Sequence, residues 1–244
     1  MSEALLLDVE ALAYRWPGAA GFTLKVPRLQ LDAGERLLLI GPSGTGKSTL
    51  LALIAGIVAP REGRISLLGE DLARYSSARR DRFRAEHMGV IFQMFNLLPY
   101  GTAIDNVLLP LRFAPVRRGR VGNSGAQVRE AGRLLGRLGL DPGLIGRRRA
   151  ADLSVGQQQR VAAARALIGR PELIIADEPT SALDPDTRDQ FLALVVAELA
   201  ESGGSLLMVS HDPGLGQHFD RTVRLADIIH AEPGRQPVSE GAAP

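Results

Sequence analysis

The chain has 244 residues, 45% of them apolar, which is enough for one large domain with a sizeable core. Its 29 basic residues nearly cancel its 27 acidic ones, leaving a net charge of +2 and arguing against a dedicated nucleic-acid binder. It contains no cysteine, which excludes a disulfide scaffold and any thiolate metal site.

The opening MSEALLLDVE has no basic segment ahead of its apolar run, so it does not read as a secretion signal. LLLDVEALAY (5–14) and FTLKV (22–26) alternate apolar and polar residues as strands do, and RLLLI (36–40) reads as a short buried strand. GPSGTGKST (41–49) follows at once and runs into LLALIAGI, giving strand, loop and helix in succession. The longest apolar run, LLALIAGIVA (50–59), is about half the length a bilayer crossing needs and stops at Pro60. No membrane span is expected, and the chain reads as soluble and cytoplasmic. GRISLLG (63–69), MGVIFQ (88–93), LIIAD (173–177) and SLLMVS (205–210) are further strands. Strands alternating with helices predict an α/β fold with a mostly parallel sheet covered on both faces.

From 94 to 153 no strand is predicted, and this stretch reads as a helical lobe inserted into the sheet domain. It contains an Arg/Gly-rich loop at 117–125, followed by a helix with Val128, Ala131, Leu134, Leu135 and Leu138 on one apolar stripe. The clusters Arg117–Arg120 and Arg147–Arg149 read as solvated faces, contact with anionic lipid being the minority alternative. From Ala231 onward the chain is rich in Pro, Gly, Ser and Glu and reads as a disordered tail.

The chemistry begins at Gly41–Thr49, which satisfies G-x-x-x-x-G-K-[ST] between a strand and a helix. Gly41, Gly44 and Gly46 let the backbone curl so that successive N–H groups of Pro42–Thr49 face a phosphate, Pro42 itself excepted. Ser43, Thr45 and Thr49 complete the loop, Lys47 reaches β- and γ-phosphates, and Ser48 is a Mg²⁺ ligand. Lys25 and Lys47 are the only lysines, so a chain that otherwise uses Arg keeps Lys at this position. LIIADEPTSALD (173–184) places Asp177 at a strand end, where it can hold Mg²⁺, and Glu178 beside it, where it can polarise an attacking water. Gln93 and His211 each follow a strand at the sheet's carboxyl edge, where ligands of such sheets bind. Gln93 is a candidate for Mg²⁺ or the attacking water, and His211 for the γ-phosphate.

ADLSVGQQQRVAAARAL (151–167) is a helix start of a second kind. Ser154 and Gln157 have the spacing of a capping box, which is the ordinary reading. Gly156 also leaves the helix terminus bare enough for close approach of an anion. A phosphate held there belongs either to this chain's own loop, folded back, or to another copy.

Taken in order, the phosphate loop, Gln93, LSVGQQQR, LIIADE, SALD and His211 resemble the ATP-binding subunit of an ABC transporter, from about residue 5 to 230. The resemblance implies a P-loop NTPase (RecA-like) core with an N-terminal antiparallel β subdomain and the 94–153 helical insert. It implies ATP and Mg²⁺, and a head-to-tail homodimer in which Ser154, Val155, Gly156 and Gln157 meet the ATP on the other copy's loop. Asp184 would cross that interface, and an aromatic residue before the loop, Trp16 or Tyr14 with Trp16 favoured, would stack on adenine. An integral membrane permease would hold the subunit at the inner face of the membrane, with Phe95, Leu97 and Leu98 as exposed apolar anchors. Within the family, FQMFNLLPYGTAIDNVLLP is similar to the lipoprotein-release and macrolide-export type. A soluble ABC ATPase acting on nucleic acid or ribosomes is the alternative, and no basic insertion of the kind it would use is present.

Overall fold

The computed structural model describes residues 5–16, 22–181 and 183–233. In chain order these form β1 (Leu5–Tyr14), β2 (Phe22–Asp32), β3 (Arg36–Ile40), α1 (Lys47–Ile54), β4 (Glu62–Leu67), β5 (Glu70–Asp71), α2 (Ser77–His87) and β6 (Met88–Ile91). Four helices follow without a strand: α3 (Ala103–Leu108), α4 (Pro115–Val121), α5 (Ser124–Arg137) and α6 (Pro142–Ile145). The chain continues through α7 (Val155–Leu167), β7 (Leu173–Asp177), α8 (Pro185–Ser202), β8 (Ser205–Ser210), β9 (Arg221–Arg224), α9 (Leu225–Ile228) and β10 (His230–Pro233).

The strands divide between two five-stranded sheets, ordered β10-β2-β1-β4-β5 and β6-β7-β8-β3-β9. Every pairing in the first is antiparallel and every pairing in the second is parallel. The parallel sheet is apolar on both faces, as a sheet covered by helices must be. Leu38, Ile174, Ala176, Leu206 and Met208 point into a core shared with α3, α5, α7 and α8. Their neighbours Leu37, Leu39, Leu173, Ile175, Leu207 and Val209 point the other way, to a core shared with α1 and the antiparallel sheet. Parallel pairing therefore places the carboxyl ends of β3, β6, β7 and β8 at one edge, between two cores. This is an α/β architecture of the P-loop NTPase kind.

Several local expectations need correction. The 117–125 stretch is not a loop: Pro115 starts α4, and Asn123 starts α5 by accepting from Ala126 N at 3.0 Å. Nor is Arg117 solvated; it is 1% exposed, whereas Arg147, Arg148 and Arg149 are exposed. The stripe on α5 is buried at Ala131, Leu134, Leu135 and Leu138, but Val128 faces solvent. The strand expected to reach Gln93 ends at Ile91. Three residues of the expected disordered tail, Ala231–Pro233, pair with β2, and the rest of that tail lies outside the described residues. Among the described residues, no helix is long and apolar enough to cross a membrane.

Candidate functional site

β3 delivers the chain to Gly41, whose N–H donates to Ser210 O at 3.1 Å, so the loop starts anchored to the next strand. Gly44 and Gly46 then take φ of 82° and 94°, a left-handed course that other residues resist. Gly46 caps α1 without a side chain, leaving the first-turn amides bare. Thr45 Oγ1 donates to Pro42 O at 2.8 Å and closes the curl. Lys47 is 6% exposed; its Nζ donates to Gly41 O at 2.8 Å and pairs with Glu178 Oε1 at 2.5 Å.

β7 ends on Asp177, and Glu178 turns away from the strand with φ of 43°, a left-handed conformation that costs a non-glycine residue energy. Its backbone is held there by Glu178 N donating to Val209 O at 3.1 Å. His211 Nδ1 lies 2.9 Å from Glu178 Oε2, so the carboxylate sits between an ammonium and an imidazole. Burial raises the Glu178 carboxyl, but the hydrogen bonds from Lys47 and His211 outweigh it and hold the group below its ordinary value. Burial pushes Asp177 up, against a hydrogen bond from Ser48 and the charge of Lys47, with Glu178 reinforcing the rise. A groove of about 390 Å³ is lined by Ser43, Gly44, Gly46, Lys47, Ser48 and Thr49 together with Gln93 and Glu178. Gln93, two residues beyond its strand, therefore still reaches the site.

Trp16 is 43% exposed and donates from Nε1 to Thr49 Oγ1 at 3.1 Å. Tyr14 is buried and meets the Trp16 ring edge-on, with centroids 5.3 Å apart. Of the two aromatics, only Trp16 presents a free face beside α1.

Ser154–Gln157 do not line this groove. They start α7 at the surface as a complete capping box: Ser154 Oγ accepts from Gln157 N at 3.4 Å, and Ser154 N donates to Gln157 Oε1 at 3.0 Å. Val155 is 54% exposed, so an apolar side chain stands in solvent at the head of the helix. Asp184 is exposed and caps α8 by accepting from Thr187 N at 3.0 Å.

Phe95 is not an exposed anchor. Phe95 and Asn96 take φ of 57° and 49°, which turns the chain back and drops the Phe95 ring into the core at 8% exposure. Leu97 and Leu98 are half-buried, while Met94, Tyr100 and Phe113 are exposed at 81%, 75% and 65%. Two residues that set this geometry are missing from the sequence reading. Asn106, fully buried, accepts from Leu98 N at 2.7 Å and donates to Leu98 O at 3.1 Å. Arg165 of α7 donates to Asn96 O at 2.7 Å and also to Phe95 O. Only the polar residue in an apolar helical run hinted at either.

Comparison with known proteins identifies the family of the chain. The family description "ABC transporter" matches residues 24–181. The lipoprotein-releasing system ATP-binding protein LolD of Anaeromyxobacter dehalogenans is 44% identical over 199 residues, covering 82% of this chain and 80% of LolD. The macrolide export ATP-binding/permease protein MacB of Rhodopirellula baltica is 40% identical over 216 residues, covering 88% of this chain but 31% of MacB. The chain thus spans about a third of that relative's length. Among solved structures, the dimeric ATP-binding cassette MJ0796 in a post-hydrolysis state with ADP and phosphate superposes with a TM-score of 0.79 at 30% identity, covering 95% of this chain and 100% of that one. A phosphate loop closed by an ion-paired lysine, an acidic strand end beside it, and relatives of this identity and coverage lead to one conclusion: the chain belongs to the ABC transporter family, as an ATP-binding subunit that hydrolyses ATP.

Proposed function

We propose that residues 1–230 form one ATP-binding domain, with 94–153 as its helical insert, which works as a head-to-tail homodimer beside a separate membrane permease. ATP lies on Gly41–Thr49 with adenine against Trp16, and Ser154–Gln157 of the second copy close over its γ-phosphate. One observation carries this reading: the groove holds the phosphate loop, Gln93 and Glu178, while Ser154–Gln157 lie outside it, with Ser154 and Val155 exposed. A helix start displayed at the surface, where Gly156 adds no side chain, is available to a partner's phosphate and not to its own. Asp184 crosses the same interface.

The donors also fit Mg²⁺. Ser48 lines the groove and interacts with Asp177 at the end of β7, and no group of three acidic or imidazole side chains able to hold a metal occurs among the described residues. Mg²⁺ keeps several waters and is bound through one or two protein groups plus phosphates, which suits that sparse set. Ser48, Asp177 and Gln93 would hold it, and it would neutralise developing charge on the phosphates. Glu178 orients and deprotonates the attacking water, and His211 bonds the γ-phosphate. Lys47 is paired with Glu178, so arrival of the phosphates draws the lysine away and frees the base.

The permease contact is assigned to the cleft of about 480 Å³ between α2 and the helical insert, where Phe92, Pro110 and Phe113 give an apolar wall and Arg82 and Arg84 a basic rim. The subunit is thereby peripheral to the membrane, and the similarity to LolD and MacB supports lipoprotein release or export as its transport class. Substrate contacts belong to the permease, and a net charge of only +2 argues against nucleic acid as a partner.

Mixing two inactive variants tests the shared site. Lys47→Ala and Gly156→Asp each disable both sites of a homodimer. A mixed dimer carries both lesions in one site and none in the other, so ATP-dependent dimerisation recovers. No recovery on mixing, measured with and without permease, would sink the head-to-tail reading.

A further inference from the structure

Two buried guanidiniums fall outside the chemistry above. Arg117 on α4 spends its donors on carbonyls at the ends of two other helices. At α7 it reaches Ala166 O and Ile168 O, each at 3.0 Å; at α2 it reaches Ala85 O at 3.2 Å and Met88 O at 3.0 Å. A cation is favoured where two helix carboxyl ends converge. The arrangement is reciprocal: Glu86 of α2 accepts from Val116 N at 3.0 Å and Arg117 N at 3.3 Å, capping α4, whose own start has no side-chain cap. The packing leaves no slack. A Cβ on Gly89 would lie 2.2 Å from Ala166 O, and one on Gly169 would lie 2.8 Å from Arg117 Cβ.

The second guanidinium, Arg165, is 9% exposed and bonds the carbonyls of Phe95 and Asn96. It holds those two residues in their left-handed turn just past Gln93. Thus α7 is tied to the β6–Gln93 segment at both ends, at the start of β6 through Arg117 and beyond Gln93 by Arg165. The free end of α7 carries Ser154–Gln157.

We infer that Arg117 and Arg165 are positioning residues that join α7 and the β6–Gln93 segment into one rigid piece, so that Gln93's contact in its own site and the signature's contact in the partner's site are made together. This rests on the head-to-tail reading above. Replacing either guanidinium lets α7 rotate against β6 while leaving the phosphate loop, which touches neither, intact.

The test uses the full chain, with turnover measured in the parent and ATP-driven dimerisation in a Glu178→Gln background. Arg117→Lys and Arg165→Lys keep the charge but lose the planar fork that spans separated carbonyls. In folded protein, monomer ATP affinity read from Trp16 fluorescence stays within about threefold, while kcat and dimerisation each fall about tenfold or more, the scale of one lost charged hydrogen bond. A merely structural role would instead lower thermal stability and ATP affinity together, leaving kcat per folded molecule unchanged; that result overturns the inference. Dimerisation at the parental level by either folded variant also overturns it. Should Arg117→Lys fail to fold, Arg165→Lys decides alone. Gly156→Asp is the control: if it dimerises normally, the head-to-tail reading falls and takes this inference with it. If Gly156→Asp fails to dimerise while Arg165→Lys dimerises normally, only this inference falls.

Discussion

Glu178→Gln should bind ATP more tightly than the parent while losing turnover. Lys47 and Glu178 meet at 2.5 Å with side chains 7% and 12% exposed, so ATP has to compete with the carboxylate for the lysine. A hydrogen bond to a charged group is worth about 1.5–3 kcal/mol, and the amide retains part of it, so about 1.4 kcal/mol of the competition disappears. That is about tenfold in ATP affinity. Removing the repulsion between Glu178 and the γ-phosphate acts in the same direction. Loss of the base lowers kcat by about 10²–10⁴. Trp16, the sole tryptophan of the chain, supplies the assay: its fluorescence is titrated with ATP in EDTA, at protein concentrations low enough to hold the monomer. AMP lacks the phosphates that Lys47 reaches, so its affinity stays unchanged. If ATP gains nothing from the substitution, or AMP gains as much, the ion pair does not compete with nucleotide. Acid should act like the amide: Glu178 contributes stability above the ordinary carboxylate range and loses it as pH falls through its depressed native value.

Trp16→Ala should weaken ATP binding by about 1–3 kcal/mol, the usual worth of base stacking, whereas Trp16→Phe should retain most of it; calorimetry reads both. Burial notwithstanding, the hydrogen bonds from His87 and Arg120 hold the Glu172 carboxyl at about 2 against an ordinary 4.5. Its stabilisation is complete above the ordinary value and lost as pH falls toward the native one, so Glu172→Gln should cost about 1–3 kcal/mol at neutral pH and flatten the acid limb of urea unfolding. Gly89→Ala should destabilise by about 3 kcal/mol in the same assay, because its Cβ meets the Ala166 carbonyl and backbone cannot give way cheaply.

The parts of the site that were legible are those whose chemistry is local. Gly44, Gly46 and Lys47 declare a phosphate loop because left-handed turns and a bare helix start are properties of a few consecutive residues. Asp177 and Glu178 were legible for the same reason, at the end of an unbroken apolar strand. The Ser154–Gln157 capping box needed only its own spacing. The choice of Trp16 over Tyr14 followed from the core-facing position of Tyr14, the last residue of β1; Trp16 lies beyond the strand and stays exposed.

What tertiary structure alone decided depends on groups far away in the chain. Arg117 reads as a solvated charge because its four carbonyl partners sit on α2 and α7, and only folding brings those two helix ends together around it. Phe95 reads as an exposed anchor because nothing in MFNLLPY states that Arg165 will hold Phe95 and Asn96 in a left-handed turn. The Lys47–Glu178 pair joins the first residue of α1 to the residue just past β7, and its competition with nucleotide exists only once β3 and β7 flank β8. Sequence determined which groups this protein has for handling ATP; the packing of α2, α4 and α7 determined which of its charges hold the machine rigid, because a buried charge is defined by its partners rather than by its neighbours in the chain.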